Sequence, residues 1–137
     1  RTGKKLHRVE VKGYSMGPVA RHGCPSHGIG LTPDETELWV ADGHNSMIHV
    51  FDNTVMPPRQ MTSLKVRDQP GWITFSIDGR YAYASSGDVI DARTKALVGA
   101  LVNELGAPVR SEKRVEIDFA GDRPVRAGRH VSVGGKR

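Results

Sequence analysis

This sequence has little with which to build a large core or to cross a membrane. Among its 137 residues there is a single cysteine, Cys24, so no disulfide can form within the chain. Aromatic residues make up only 6% of the total, and apolar residues as a class 37%. No apolar run reaches the roughly 18 residues that a membrane-spanning helix needs. Sustained helical spacing is also missing. The stretch 92–104 comes closest, but Val98, Gly99 and Val102 lower helix propensity there. What the chain has in quantity is turn residues, 16 Gly and 8 Pro, as expected where strands are short and many.

The formal net charge of +5 is unevenly spread. Residues 1–25 carry six Lys/Arg against one acid, and residues 110–137 carry eight against four. The middle, 26–109, carries six against ten. A nucleic-acid groove pairs clustered positive charge with aromatic stacking platforms. Here six of the eight aromatics lie in the acidic middle, which argues against nucleic acid as a partner.

Apolar and polar residues alternate wherever a period is visible, the mark of half-buried strands. Leu6, Val9 and Val11 predict a first strand within 5–11, followed by a loop over 13–26. Four strands are then expected between 28 and 66: 28–31, 37–41, 47–52 and 60–66. Four more follow at 71–75, 80–85, 88–91 and 96–101. The two sets repeat one another. Leu31-Thr32-Pro33-Asp34-Glu35-Thr36-Glu37-Leu38-Trp39-Val40-Ala41 is echoed by Phe75-Ser76-Ile77-Asp78-Gly79-Arg80-Tyr81-Ala82-Tyr83-Ala84-Ser85, with 44 residues from Asp34 to Asp78. A unit of that length with four short strands matches one blade of a stacked β array.

The same register predicts incomplete units at both ends. Thr2-Gly3-Lys4-Lys5-Leu6 matches the turn and fourth strand at Arg93-Thr94-Lys95-Ala96-Leu97. Residues 1–12 are therefore read as the outer strand of a preceding blade, 26–66 and 70–101 as full blades, and 113–133 as strands of a further one. Within 113–133, Arg114-Val115-Glu116-Ile117-Asp118 reads as a third strand. A turn at Gly121-Asp122-Arg123-Pro124 and a strand around 130–133 follow.

The pattern Thr-Pro-Asp-x-x-x-Leu-Trp-Val-Ala-Asp followed by Ile-x-Val-Phe-Asp resembles the YVTN-type β-propeller repeats, relatives of the NHL and lactonase-like propellers. Pro33-Asp34, Leu38-Trp39-Val40, Val50-Phe51-Asp52, Asp78-Gly79, Tyr81-Ala82-Tyr83 and Val89-Ile90-Asp91 carry the likeness. Glu35 replaces the usual Gly and Ile77 the usual Pro. The resemblance covers 28–101 well. It implies an all-β propeller fragment with two complete four-stranded antiparallel blades and partial blades at both ends. It also implies a periplasmic or secreted parent, as for many relatives, although the residues themselves assign no compartment. Such repeats specify fold far better than activity.

Blade topology brings the second loop of each unit and the connections between units to one end. That mouth is expected to gather His22, Cys24 and His27 with Asp42 and His44, and to add Asp68, Gln69, Ser85, Ser86 and Asp88 from the second unit, with Trp72 entering the innermost strand near the central channel. His22, Cys24, His27 and His44 are the donor types that a divalent metal such as zinc or copper takes. Their spacing fits no tight metal signature, and the plain reading makes them loop and filler residues. The lactonase-like relatives imply acidic and amide ligands around a central cation, with Asp42, Asn45, Asp68 and Asp88 as candidates. Against that stands their use as turn residues bonding loop backbone. Cys24 and His27 lack an orienting third group for nucleophilic catalysis. The sequence thus favours a binding or scaffold module, for an unknown protein or small-molecule ligand, over a metal-dependent propeller enzyme.

A partial array leaves sheet faces and edges uncovered. The chain alone is expected to be weakly stable or to associate with itself. Size-exclusion chromatography with thermal melting checks this, and a monodisperse monomer melting cooperatively above roughly 60 °C would contradict it.

Overall fold

The computed structural model describes residues 2–18, 24–112 and 114–128, and among them there is no helix. Strands β1 (Ile29–Leu31), β2 (Glu37–Asp42), β3 (Met47–Asp52) and β4 (Arg59–Lys65) form one antiparallel sheet in chain order. A second sheet repeats the plan with β5 (Ile73–Phe75), β6 (Tyr81–Ala84), β7 (Asp88–Asp91) and β8 (Leu97–Ala100). Strands β9 (Ile117–Ala120) and β10 (Arg123–Ala127) make a separate hairpin.

The two sheets share one turn chemistry. In the first, the Thr32 hydroxyl donates to Asp34 Oδ1 at 2.6 Å, Thr36 N donates to the same oxygen at 3.1 Å, and Glu37 N donates to Thr32 Oγ1 at 3.0 Å. In the second, Ser76, Asp78, Arg80 and Tyr81 make the same bonds 44 positions later, at 2.6, 2.9 and 2.9 Å. Bonds from the Thr32 and Ser76 hydroxyls, followed by those from backbone N–H groups, lower the pKa of Asp34 and Asp78 below the ordinary value. The support these carboxylates give is therefore complete above the usual carboxylate range. It is lost as pH falls through the lowered values.

The third hairpin keeps the interval. Leu31, Phe75 and Phe119 are equally spaced, as are Asp34, Asp78 and Asp122. Ala120 stands where Thr32 and Ser76 carry the hydroxyl, so that bond network cannot form. The turn shrinks to Gly121-Asp122, with Ala120 paired to Arg123 and Gly121 at φ 61°. The segment forms a two-stranded hairpin, β9–β10, and the strand expected at 114–118 overlaps β9 only at Ile117 and Asp118. Pro124, expected in the turn, lies within β10, and the strand expected at 130–133 falls outside the described residues.

At the other end, the strand expected within 5–11 does not form, since residues 2–12 pair with no strand. Instead the Gln60 side chain bonds both main-chain groups of Lys12, accepting from its N at 2.7 Å and donating to its O at 3.0 Å.

Side-chain alternation fixes how the sheets meet. Trp39, Ala41, Ile48 and Val50 lie on one face of the first sheet and are all inaccessible to solvent. They join Ile73, Ala82, Ala84 and Ile90 of the second sheet in one core cluster, with Phe75 packed against it. The rings of Trp39 and Phe75 meet edge to face at 5.4 Å between centroids. Close approach at the inner strands requires glycine at 28, where a Cβ would fall 2.5 Å from Gly71 O. Burying apolar side chains of this size contributes roughly 1.5–3 kcal/mol each, so this face-to-face contact is the main store of stability.

One residue departs from the turn's own logic. Glu35 sits at φ 62°, where its counterpart Gly79 sits at φ 75°. Left-handed backbone is strained for a residue with a Cβ. Glu35→Gly is expected to raise stability by about 0.5–1 kcal/mol in urea unfolding. An unchanged or lower midpoint would show that the Glu35 side chain offsets the strain.

Candidate functional site

Because each sheet is a simple meander, the β2–β3 loop, the β6–β7 loop and the segments entering β1 and β5 share one end. Gly43 N donates to Pro25 O at 2.7 Å there, and Ser85 Oγ accepts from Gly71 N at 2.8 Å and Trp72 N at 3.1 Å. Among the described residues, Cys24, His27, His44, Asn45, Asp68, Gln69, Trp72, Ser85 and Ser86 lie on these loops and segments, with Asp42 and Asp88 at the adjoining strand ends, and their contacts differ.

His27 and Trp72 come together, ring centroids 6.0 Å apart, and His27 Nδ1 stands 3.8 Å from Glu112 Oε1. Asp68 is 3.0 Å from the Arg110 guanidinium. Asp88 is 3% exposed and accepts from the Ser86 hydroxyl at 2.6 Å and Arg67 N at 3.1 Å, tying the inter-sheet connection to β7. Cys24 donates weakly to Ser26 O at 3.5 Å. His44 turns outward, its Nδ1 3.1 Å from the Tyr14 hydroxyl and accepting from Gly17 N at 3.3 Å. Among the described residues no three His, Cys, Asp or Glu side chains form a group able to hold a metal, so Cys24, His27 and His44 are not assembled into a ligand set. His22 lies outside the described residues.

Asp42 serves the interior. Its Oδ1 accepts from the backbone N of His44 at 3.0 Å and of Asn45 at 3.1 Å, and its Oδ2 accepts from Asn45 Nδ2 at 2.7 Å. The same Oδ2 lies 3.0 Å from Nε2 of His49, which is 1% exposed, and His49 Nδ1 lies 2.8 Å from Ser63 Oγ. A carboxylate oxygen accepts, so Nε2 donates to Asp42, while Nδ1 pairs with the Ser63 hydroxyl, which can donate or accept. Gln60 Nε2 donates to that hydroxyl oxygen at 2.9 Å. A line of bonds therefore runs from a buried carboxylate across β3 and β4 to Gln60, which grips Lys12.

Above this line lies the segment 8–18. It roofs a cavity of about 440 Å³ whose lining includes Arg8, Glu10, Tyr14, Pro25, Asp42 and His49. Sequence reasoning missed His49, Ser63 and Tyr14. The usable signal was a histidine inside the apolar run Met47–Asp52, at the position where the second sheet carries buried Asp88. Arg114, read from sequence as the start of a strand, donates from Nη1 to Ala84 O at 2.7 Å, and burial lowers its pKa from the ordinary guanidinium value.

No protein-family model matches this chain. No curated protein matches it in sequence. Among solved structures it is similar to the Kuenenia stuttgartiensis hydrazine synthase, with a TM-score of 0.51 and 18% identity. That match covers 66% of this chain and 26% of the other, a protein with β-propeller domains. At that identity the likeness speaks to fold alone, and the matched part is about a quarter of the neighbour's chain.

The buried line of bonds makes a stability prediction. His49→Leu removes one of the four bonds to Asp42 and the ring partner of Ser63, and is expected to cost about 2 kcal/mol. Ser63→Ala is expected to cost about 1 kcal/mol. Urea unfolding monitored by circular dichroism checks both, and a neutral His49→Leu would show that the pair adds nothing.

Proposed function

We propose that the two four-stranded sheets and the hairpin after them are consecutive blades of a YVTN-like β-propeller, and that the chain works as a binding or scaffold module. The observation that carries this reading is the threefold recurrence of the inner hairpin at Asp34, Asp78 and Asp122. Face-to-face burial of the first two sheets goes with it. Blades arranged so turn their connecting loops to one end, and that end offers His27, Trp72 and Glu112 together. Most of the other ionisable groups there bond loop backbone or one another, which suits a rigid recognition surface. Its ligand would be a protein or small molecule, and further blades of the same parent would complete the ring. Export of that parent belongs to the same reading.

The rival is a propeller enzyme, a metal-dependent hydrolase or oxidoreductase with its site at His27 and His44. Elemental analysis separates the two. The binding reading expects substoichiometric zinc and copper in the full-length protein, unchanged by His27→Ala. One equivalent of metal per chain, lost in His27→Ala, would replace it with the metalloenzyme.

A further inference from the structure

Residues 12–18 are attached to the first sheet in an unusual way. Among the described residues, none from 2 to 18 enters the core cluster, and all of 12–18 except Gly17 are exposed. Beneath residues 8–12 the sheet is not filled. The 440 Å³ cavity lies on one side, and a second of about 520 Å³, lined by Val9, Glu10, Lys12 and the segment 55–60, lies on the other. The segment forms no ladder with any strand. Its hold comes from four side chains of the sheet and its loops.

Gln60 takes both main-chain groups of Lys12. Asn45 accepts from the Ser15 hydroxyl at 2.8 Å and donates to Ser15 O at 3.1 Å. His44 bonds the Tyr14 hydroxyl and Gly17 N through Nδ1, and its ring stacks on Tyr14 at 5.7 Å and 25°. Gln69 donates to Pro18 O at 2.9 Å. The arrangement also reads side chains. At 17 a Cβ would lie 3.0 Å from His44 O, and at 13 the backbone has φ 83°, so both positions favour glycine.

We propose that Gln60, Asn45, His44 and Gln69 form a docking groove for a peptide segment, and that the segment 12–18 of a second copy of this chain can occupy it. The chain's own segment is the resident ligand. It shows the chemistry that fits: an irregular main chain that turns at Lys12-Gly13 and carries Tyr-Ser, a glycine two residues after the serine, and no apolar anchor. Among the described residues the segment is attached through side-chain bonds, each worth little net against water, and one ring stack, and it can separate without disturbing the core. Exchange of an identical element between copies then needs no new contacts. This inference rests on the bonds to 12–18 and is independent of the ring.

The resident segment competes at the high effective concentration of a tethered ligand, so the test weakens it first. A fluorescein-labelled peptide of residues 9–18 is titrated with full chain, and anisotropy is followed. Chain carrying Tyr14→Ala is expected to bind the peptide at least about five-fold more tightly than unaltered chain. Adding Gln60→Ala or, independently, Asn45→Ser is expected to reverse that gain. No saturable binding to the Tyr14→Ala chain, or binding indifferent to both groove variants, would overturn the proposal. Equal binding of a peptide with the same residues in scrambled order would overturn the assignment to this segment.

Discussion

Trp39 is the side chain on which the arrangement depends. It leaves the first sheet on the face turned to the second, is wholly buried, and meets Phe75 edge to face. Its indole N–H donates to Glu37 Oε2 at 2.8 Å, and both oxygens of that carboxylate lie 2.7 Å from Lys95 of the neighbouring sheet. The Lys95 ammonium also stands 5.2 Å from the Trp39 ring centroid. Apolar burial, a partly buried ion pair and a cation–π contact thus act between the same two sheets. Change the face on which Trp39 projects and all three contacts go together, because a strand has only two faces.

With the sheets fixed face to face, the meander decides the rest. Loops alternate between two ends, and the end that carries Asp42 receives a buried carboxylate rather than a solvated one. Four bonds to Asp42 hold the β2–β3 loop in one conformation. That loop presents His44 and Asn45 to the segment crossing it. A polar group buried at such density is costly unless every member is satisfied, and here the satisfaction extends through Ser63 to Gln60. The interior of the sheet and the grip on Lys12 are therefore one network.

Local signals made much of this legible from sequence. Period-two alternation located all eight strands of the two sheets, since each side chain's face follows from the pleat. The Asp34 and Asp78 turns were readable because the hydroxyl, the carboxylate and the next amides lie within five residues of one another. The third hairpin was hidden by the loss of the hydroxyl at Ala120 and by a proline inside β10, two departures from the strand signature. Residues 5–11 misled in the other direction, since Leu6, Val9 and Val11 alternate like a strand but have no partner strand to pair with. The grouping of His27 with Trp72 and Glu112, and of Asp42 with His49, depends on contacts between segments that no spacing reveals. Cys24 and His44 carry donor atoms of the right kind, and spacing alone did not reveal the contacts of His44 Nδ1 with Tyr14 and Gly17.

The central claim is that the two sheets form one cooperative body through the face bearing Trp39. Native-state hydrogen exchange with and without Trp39→Ala tests it most directly. The account predicts that amides of Ile48 and Val50 in the first sheet and of Ala84 and Ile90 in the second open with one common free energy. Trp39→Ala should lower that value for all of them by the same amount, about 3–5 kcal/mol. Loss of protection confined to the first sheet, with Ala84 and Ile90 unaffected, would contradict it.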